Sequence, residues 1–227
     1  MSQSISDFAI VLSRTDYGEK DRILTIITPE HGKLRAIAKG VRSAKSRLAG
    51  GIELFAENKL NLVRGRSELY TVTSSRMHRY FGDISKDIDK SMYVYDCLKT
   101  VNKLSPDHAG GEYYLALVKL LEALSAGKVP PEQIKIWYAL KLLDSLGSTP
   151  NFKTDGEGKD LQENSAYQYD FDKHCFFAKP GGPYGADHIK LFRHLSASPK
   201  PVEVKGLDDS LVFSSGHLIN TVLTNQI

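Results

Sequence analysis

Gly32-Lys33-Leu34-Arg35-Ala36-Ile37-Ala38-Lys39 alternates with a period of two: Leu34, Ala36 and Ala38 fall on one side, and Lys33, Arg35, Ile37 and Lys39 on the other. Successive side chains of an extended strand point to opposite faces. The spacing therefore predicts a strand with an aliphatic inner face and a basic outer one. Upstream, residues 8–14 and 21–28 are rich in Ile, Val, Leu and Thr, and Asp16-Tyr17-Gly18-Glu19-Lys20 supplies the turn between them. Pro29-Glu30-His31-Gly32 makes the next turn. Downstream, Gly40 and the pair Gly50-Gly51 bracket a polar loop, and two further strands are expected over 52–63 and 68–80. Five short strands without intervening helices predict a small closed or nearly closed barrel.

After Phe81 the period becomes helical. Ile84, Ile88, Met92, Tyr95, Leu98 and Val101 recur at spacings of four and three, predicting one apolar stripe on a helix that ends before Pro106. A second helix follows Gly110 and Gly111, burying Tyr113, Leu117, Leu120, Leu121 and Leu124. A third starts at Pro130-Pro131 and carries Ile134, Trp137, Leu140 and Leu143, with Gly147 placed to end it. These three helices are expected to pack together as a bundle. Tyr167-Gln168-Tyr169-Asp170-Phe171 and Phe176-Phe177-Ala178 predict a hairpin, followed by a helix over 187–195 and a last helical segment over 208–223, interrupted near Gly216. The fold class is α+β, with an all-β domain over 1–80 and a mainly helical domain over 81–227.

The 227 residues hold 41% apolar and 25% charged side chains, enough for a packed core and unlike a disordered chain. The N-terminal apolar run Phe8-Ala9-Ile10-Val11-Leu12 is far short of the ~20 residues that span a bilayer. No membrane partner and a cytoplasmic location follow as expectations. Two cysteines, Cys97 and Cys175, exclude a disulfide framework.

Charge is uneven. Residues 1–80 hold 14 Lys and Arg against 8 Asp and Glu, whereas the remainder is acidic on balance. Lys33, Arg35, Lys39, Arg42, Lys45 and Arg47 follow one another with no acid between them, and Arg64, Arg66, Arg76 and Arg79 add cations from the later hairpin. A concentrated basic surface captures polyanions, and cations beside flat side chains suit single-stranded nucleic acid. Tyr17, Tyr70, Tyr80 and Phe55 are the aromatics at hand, with Phe55 better suited to the core. The competing interpretation of the basic run is a solvated face without a ligand.

Catalytic patterns are missing: no Walker or dinucleotide glycine loop, no His-Glu-x-x-His and no Gly-x-Ser-x-Gly occurs. Asp87/Asp89, Asp170/Asp172 and Asp208/Asp209 fall near turns and helix starts, where acids cap and solubilise. His174, Cys175, His188 and His194 lie within the range that small zinc sites use, but the paired Cys-x-x-Cys knuckle is lacking. No catalytic residue, metal or cofactor is expected.

Asp21-Arg22-Ile23-Leu24-Thr25 with Thr28-Pro29-Glu30-His31-Gly32-Lys33, followed by Ala38-Lys39-Gly40-Val41-Arg42-Ser43-Ala44-Lys45-Ser46-Arg47-Leu48-Ala49-Gly50, closely resembles the N-terminal domain of the RecO recombination mediators. Leu140-Lys141-Leu142-Leu143-Asp144-Ser145-Leu146-Gly147, followed by Pro150 and Phe152, resembles the family's third-helix signature. The resemblance implies an N-terminal five-stranded OB-fold barrel and a C-terminal helical domain. It further implies a non-enzymatic protein that binds single- and double-stranded DNA and anneals complementary strands. RecR, the C-terminal tail of single-strand binding protein and, indirectly, RecA are the implied partners, in a nucleoid-associated cytoplasmic setting. Many members carry a four-cysteine zinc element after the third helix. Here residues 151–186 retain Gly181 and Gly182 but only Cys175, implying a metal-free hairpin. Lys39, Arg42, Lys45 and Arg47 match the family's basic loop, and Lys135 and Lys141 are the candidates for the tail's carboxylates. Two other classes stay open: an adaptor whose basic face meets acidic proteins, and a metal-dependent nuclease, which needs a carboxylate cluster that the sequence does not assemble.

Overall fold

The computed structural model describes residues 3–64 and 68–227. Five strands, β1 (Gln3–Tyr17), β2 (Asp21–Thr28), β3 (Gly32–Ala38), β4 (Ala56–Arg64) and β5 (Tyr70–Tyr80), close into a barrel in the order β1-β2-β3-β5-β4. All pairings are antiparallel except β3 with β5. This is the expected OB-fold barrel.

Closure depends on β1, which is longer than its sequence pattern suggested. Its first half, to Ile10, pairs with β4, and its second half, from Ile10, pairs with β2. The register shifts between Val11 and Ser13. An extra residue there increases local twist and bends the strand from one sheet to the other. The inward side chains, among them Val11, Leu24, Ile26, Leu34, Ala36, Leu60, Leu62 and Val72, fill the barrel.

The outward side chains of β1 are exposed at Ser4 and Ser6, buried at Ile10 and Leu12, and exposed again at Thr15 and Tyr17. Helix α2 (Ile88–Leu104) packs on β1. Helix α3 (Gly111–Ala126) reaches the same sheet with Tyr114, whose hydroxyl donates to Glu57. The connection between the helices is laced to β3: the Lys33 amide donates to the Ala109 carbonyl at 3.1 Å, and the His108 amide donates to the Lys33 carbonyl at 2.9 Å. Gly32 permits this approach. It has φ +62°, and a Cβ there would lie 2.0 Å from the Ala109 oxygen.

Contacts divide the chain into two compact units, residues 1–125 and 126–227, so the first unit contains the barrel together with α2 and α3. The sequence pattern placed its boundary after residue 80 instead. In the second unit, α4 (Pro131–Ser145) packs with α5 (Ala186–Ala197) and α6 (Asp209–Thr224), and β6 (Tyr167–Asp170) pairs with β7 (Cys175–Ala178) as the expected hairpin. Trp137 donates from Nε1 to the Ser198 carbonyl at 3.0 Å, which places the lone tryptophan in the core.

Three expectations are corrected. The bundle is α4, α5 and α6, not the first three helices. Gly216 does not interrupt α6: it sits inside a continuous helix, its α-carbon facing Ile136. The apolar stripe on α2 holds at Leu98 and Val101, which are buried, but not at Ile88, Met92 and Tyr95, which are 75%, 61% and 43% exposed; Val94 and Cys97 complete the buried face. The cause is a break at Asp87. Its backbone is extended and its carboxylate accepts the Lys90 amide at 3.1 Å, capping a new helix. Ile84 belongs to the short α1 (Gly82–Ser85), so its phase does not carry into α2.

Candidate nucleic-acid interface

Register fixes which outward side chains share a surface. On the β1–β2–β3 sheet, Ser13 opposes Thr25, which opposes Arg35; Thr15 opposes Ile23, which opposes Ile37; and Tyr17 opposes Asp21. Directly opposed residues point to the same side of a sheet. Arg35, the half-exposed Ile23 and Ile37 pair and Tyr17, 56% exposed, therefore lie on one outer face. Lys39, one residue beyond β3, extends that face beside Asp21, whose carboxylate accepts the Gly40 amide at 2.7 Å.

The loop over 39–55 hangs from this edge. Arg42 is tied to the β1–β2 turn: its amide donates to the Lys20 carbonyl at 2.9 Å, and its guanidinium donates to the Gly18 carbonyl at 3.3 Å. The guanidinium also lies 3.4 Å from Asp16, whose other oxygen accepts from Arg22 at 2.8 Å. The Arg22 hydrogen bond, with the charge of Arg42 behind it, holds the Asp16 carboxyl below the usual carboxylate range. Ser75 fastens the far end of the loop by donating to the Leu48 carbonyl at 2.9 Å. Between these anchors Lys45 and Arg47 are exposed, and with Arg35 and Lys39 they have no carboxylate within ion-pair reach among the described residues. Arg35 and Lys39 thus stand on the outer face of the β1–β2–β3 sheet, and Arg42, Lys45 and Arg47 lie on the loop that continues from its edge. Lys20 and Arg22 lie at the same corner, the β1–β2 turn, but Arg22 opposes Ala38 and so leaves the sheet on the side away from Arg35. Their signal in the sequence was their place at the β1–β2 turn, next to the loop in space rather than in order.

The other cations go elsewhere. Lys33 is mostly buried, donating to the Asn102 carbonyl at 3.1 Å and pairing with Asp107 at 3.3 Å, so it fastens the helices to the barrel. Arg79 pairs with Glu57 at 2.6 Å and also with Glu122. Glu57 in turn accepts from the Tyr114 hydroxyl, a second structural clasp. Burial and the Glu57 hydrogen bond push the Tyr114 phenol far above its ordinary value. Arg76 lies on the other sheet, opposite Lys59 of β4. Arg64 ends β4 with its guanidinium 5.8 Å from the ring of Tyr70, itself buried in the barrel. Arg66 lies outside the described residues. Phe55 is buried, edge-on to Tyr95 at 4.9 Å, and Tyr80 is exposed beside α1.

In the second unit Lys135 pairs with Glu132 at 2.7 Å, and Lys141 donates to the Ser196 carbonyl at 2.7 Å. Six residues apart, they differ by about 120° around α4 and do not form one site. An open groove of about 950 Å³ runs beside Phe152, Lys153, Leu161, Arg193 and Ser196. The four candidate zinc ligands are not brought together. The His188 ring accepts the Gly185 amide at Nδ1 and bonds Ser214 through Nε2, and His174 is exposed at a hairpin turn with φ +52°. Among the described residues three such groups converge only at Asp7, Glu30 and His31. There the Asp7 oxygens are already taken by the Phe8 amide at 2.8 Å and His31 Nδ1 at 3.0 Å. No helix is long and apolar enough to cross a membrane among the described residues.

Comparison with known proteins agrees with this architecture. Residues 1–81 match the family described as Recombination protein O N terminal, and residues 85–200 match Recombination protein O C terminal. Similar curated proteins include the DNA repair protein RecO of Heliobacterium modesticaldum, 37% identical over 142 residues, which are 63% of this chain and 51% of that protein. The DNA repair protein RecO of a Roseiflexus species is 38% identical over 143 residues, 63% and 50% of the two chains. That of Bifidobacterium adolescentis is 35% identical over 150 residues, 65% and 61%. The matched part of the chain spans about half the length of the first two relatives. With both family regions matched in order along most of its length, the chain belongs to the RecO family.

Proposed function

We propose that this chain is a non-enzymatic DNA-binding and strand-annealing mediator of recombinational DNA repair, working with RecR to assist RecA loading on strands coated by single-strand binding protein. The observation that carries this is the outer face on which Arg35 and Lys39 stand beside Tyr17 and the Ile23–Ile37 pair, with the loop bearing Lys45 and Arg47 continuing from its edge and none of these four cations ion-paired among the described residues. Cations spaced along such a face neutralise a sugar–phosphate chain, while the exposed ring and aliphatic surface meet bases. A strand whose phosphates are neutralised repels a complementary strand less, so pairing can nucleate. No step of this mechanism breaks a covalent bond, and no residue has a catalytic role in it. The acidic tail of single-strand binding protein is assigned to the second unit, where Arg193 and Lys153 flank the apolar surface of Phe152 and Leu161.

The test is a salt titration with a mixed-sequence single strand. Four to five phosphate contacts give a slope of log K against log salt of about −3 to −3.5. Replacing Lys39, Lys45 and Arg47 with Ala flattens it by about 2 and leaves thermal unfolding unchanged. An unchanged slope removes the loop from the interface, and failure to retain single strands at moderate salt favours an adaptor for acidic proteins.

A further inference from the structure

The same barrel presents another outer surface, on the sheet made by the first half of β1 with β4 and β5. Register again defines its rungs: Ser6, Asn61 and Ser74; then Phe8, Lys59 and Arg76; then Ile10, Glu57 and Arg79. The third rung is closed by α3, through Tyr114 on Glu57 and Glu122 on Arg79. The first two are open. Arg76, His78, Asn61, Ser74 and Ser6 are exposed, and Lys59 and Phe8 are half-buried. Lys59 Nζ stands 4.5 Å from the centroid of the Phe8 ring and donates to the Ser6 carbonyl at 3.3 Å, and the His78 ring packs on Phe8 with centroids 4.8 Å apart. The described residues of these three strand segments include two acids, Asp7 and Glu57, and both are buried with their oxygens engaged. What remains outside is cationic, aromatic or neutral and hydrogen-bonding, the set that contacts phosphates and sugars.

Along β1 this surface is separated from the one that carries Arg35 and Lys39. Along β1 the outer side chains pass from exposed to buried at Ile10 and Leu12 and back to exposed at Thr15 and Tyr17. The helix-covered band, to which Lys33 is also fastened, divides the two. A single strand that runs along β1 from one face to the other crosses α2 or α3, whereas the β3–β5 seam, where Ile37 opposes Thr71, joins the two faces on the far side of the barrel.

We infer that the β1–β4–β5 surface, centred on Phe8, Lys59 and Arg76, is a second nucleic-acid site that holds the backbone of a separate strand. It rests on the proposed function for the choice of nucleic acid as the polyanion, and it adds that one chain carries two strands at once. Two strands on faces of one small barrel are held within a few tens of ångströms of each other, which raises the concentration of each near the other.

The experiment titrates the full chain at low salt with oligothymidylate of about ten nucleotides, within the site size of one OB-fold. These strands cannot pair with each other, so energy transfer between donor- and acceptor-labelled copies reports joint occupancy of the protein. The wild type binds two strands per chain and gives transfer. The double variant Lys59→Glu, Arg76→Glu binds one and gives none. The neutral pair Lys59→Gln, Arg76→Gln, with an unchanged melting profile, weakens the second step about tenfold. That step falls with salt at a slope of about −1.4 in the wild type, as expected for two cations. A wild type that saturates at one strand, or a Glu variant that still holds two, overturns the second site. The triple variant Lys39→Glu, Lys45→Glu, Arg47→Glu separates the two ideas. If it binds one strand, both faces stand; if it still binds two, the β2–β3 face is lost as a site, a different failure from the first.

Discussion

Asp16 is an acid set between two cations at the β1–β2 turn, and its two arginines make it an internal stand-in for phosphate. Arg22 and Arg42 each give it a guanidinium, at 2.8 and 3.4 Å. Asp16→Asn releases both, so single-strand affinity rises and the salt slope steepens by about 1 to 1.4. A fall in affinity would show instead that Asp16 positions Arg42. Arg79 presents the opposite case, a cation withdrawn from ligand duty. Arg79→Ala leaves Glu57 and Glu122 short of a partner and destabilises the protein by about 1–3 kcal/mol in urea unfolding, without changing the salt slope of strand binding. Tyr114, bonded to the same Glu57, adds a pH signature. Its phenol stays protonated in the folded chain well above its value in the unfolded one, about 10. The unfolded state therefore loses this proton first as pH rises, and the stability it contributes is present below about pH 10 and declines above it. The Tyr114→Phe variant loses less stability between pH 10 and 11.5 than the wild type does. Sequence alternation showed that Lys33, Arg35 and Lys39 leave the barrel on one side. It could not show that Asn102 and Asp107, seventy residues on, fold back over the first of them.

At the scale of elements, what was legible was what local chemistry determines. Alternation set the strands, Pro130-Pro131 opened α4, and the aromatic runs at 167–171 and 176–178 marked the hairpin of β6 and β7. The errors came where one element's phase depends on another. The register shift in β1 between Val11 and Ser13 lets one strand serve two sheets, and the five-residue apolar run Phe8 to Leu12 gives no local sign of it. On α2, the residues at spacings of three and four from Ile84 start on the solvent side at Ile88, Met92 and Tyr95 and reach the buried face only at Leu98 and Val101, because Asp87 restarts the helix with a new phase. A pair of truncations separates the two assignments. Leu98→Ala, on the buried side, costs about 2–5 kcal/mol. Met92→Ala, on the exposed side, stays within about 0.5 kcal/mol of the wild type. Equal losses in denaturant titration would return Met92 to the buried stripe that the spacing predicts. The loop over 39–55 was legible as basic and polar, but its position was not: Gly18, Lys20 and Ser75 hold it, and all three lie outside the run itself.

At the scale of the molecule, the first folding unit is larger than the barrel. Three attachments carry α2 and α3 onto it: Lys33 to Asn102 and Asp107, Glu57 to Tyr114, and Arg79 to Glu122. They surround a band of barrel surface, Ile10, Leu12 and Ile27, that is 0–4% exposed. A chain cut after residue 80 keeps every barrel strand yet uncovers those three side chains, at about 1.5–3 kcal/mol each. It also strips the buried Glu57 of its tyrosine donor. Losses of that size equal the whole stability of an ordinary small domain, about 5–15 kcal/mol. The fragment 1–80 is therefore expected to lack a cooperative thermal transition, whereas 1–125 unfolds in one step and binds oligothymidylate with the salt slope of the full chain. If 1–80 melts cooperatively and binds with that slope, the helices are accessories and the domain boundary lies at residue 80. If only 1–125 does, the strands that carry both proposed faces stay folded because α2 and α3 cover the surface between them.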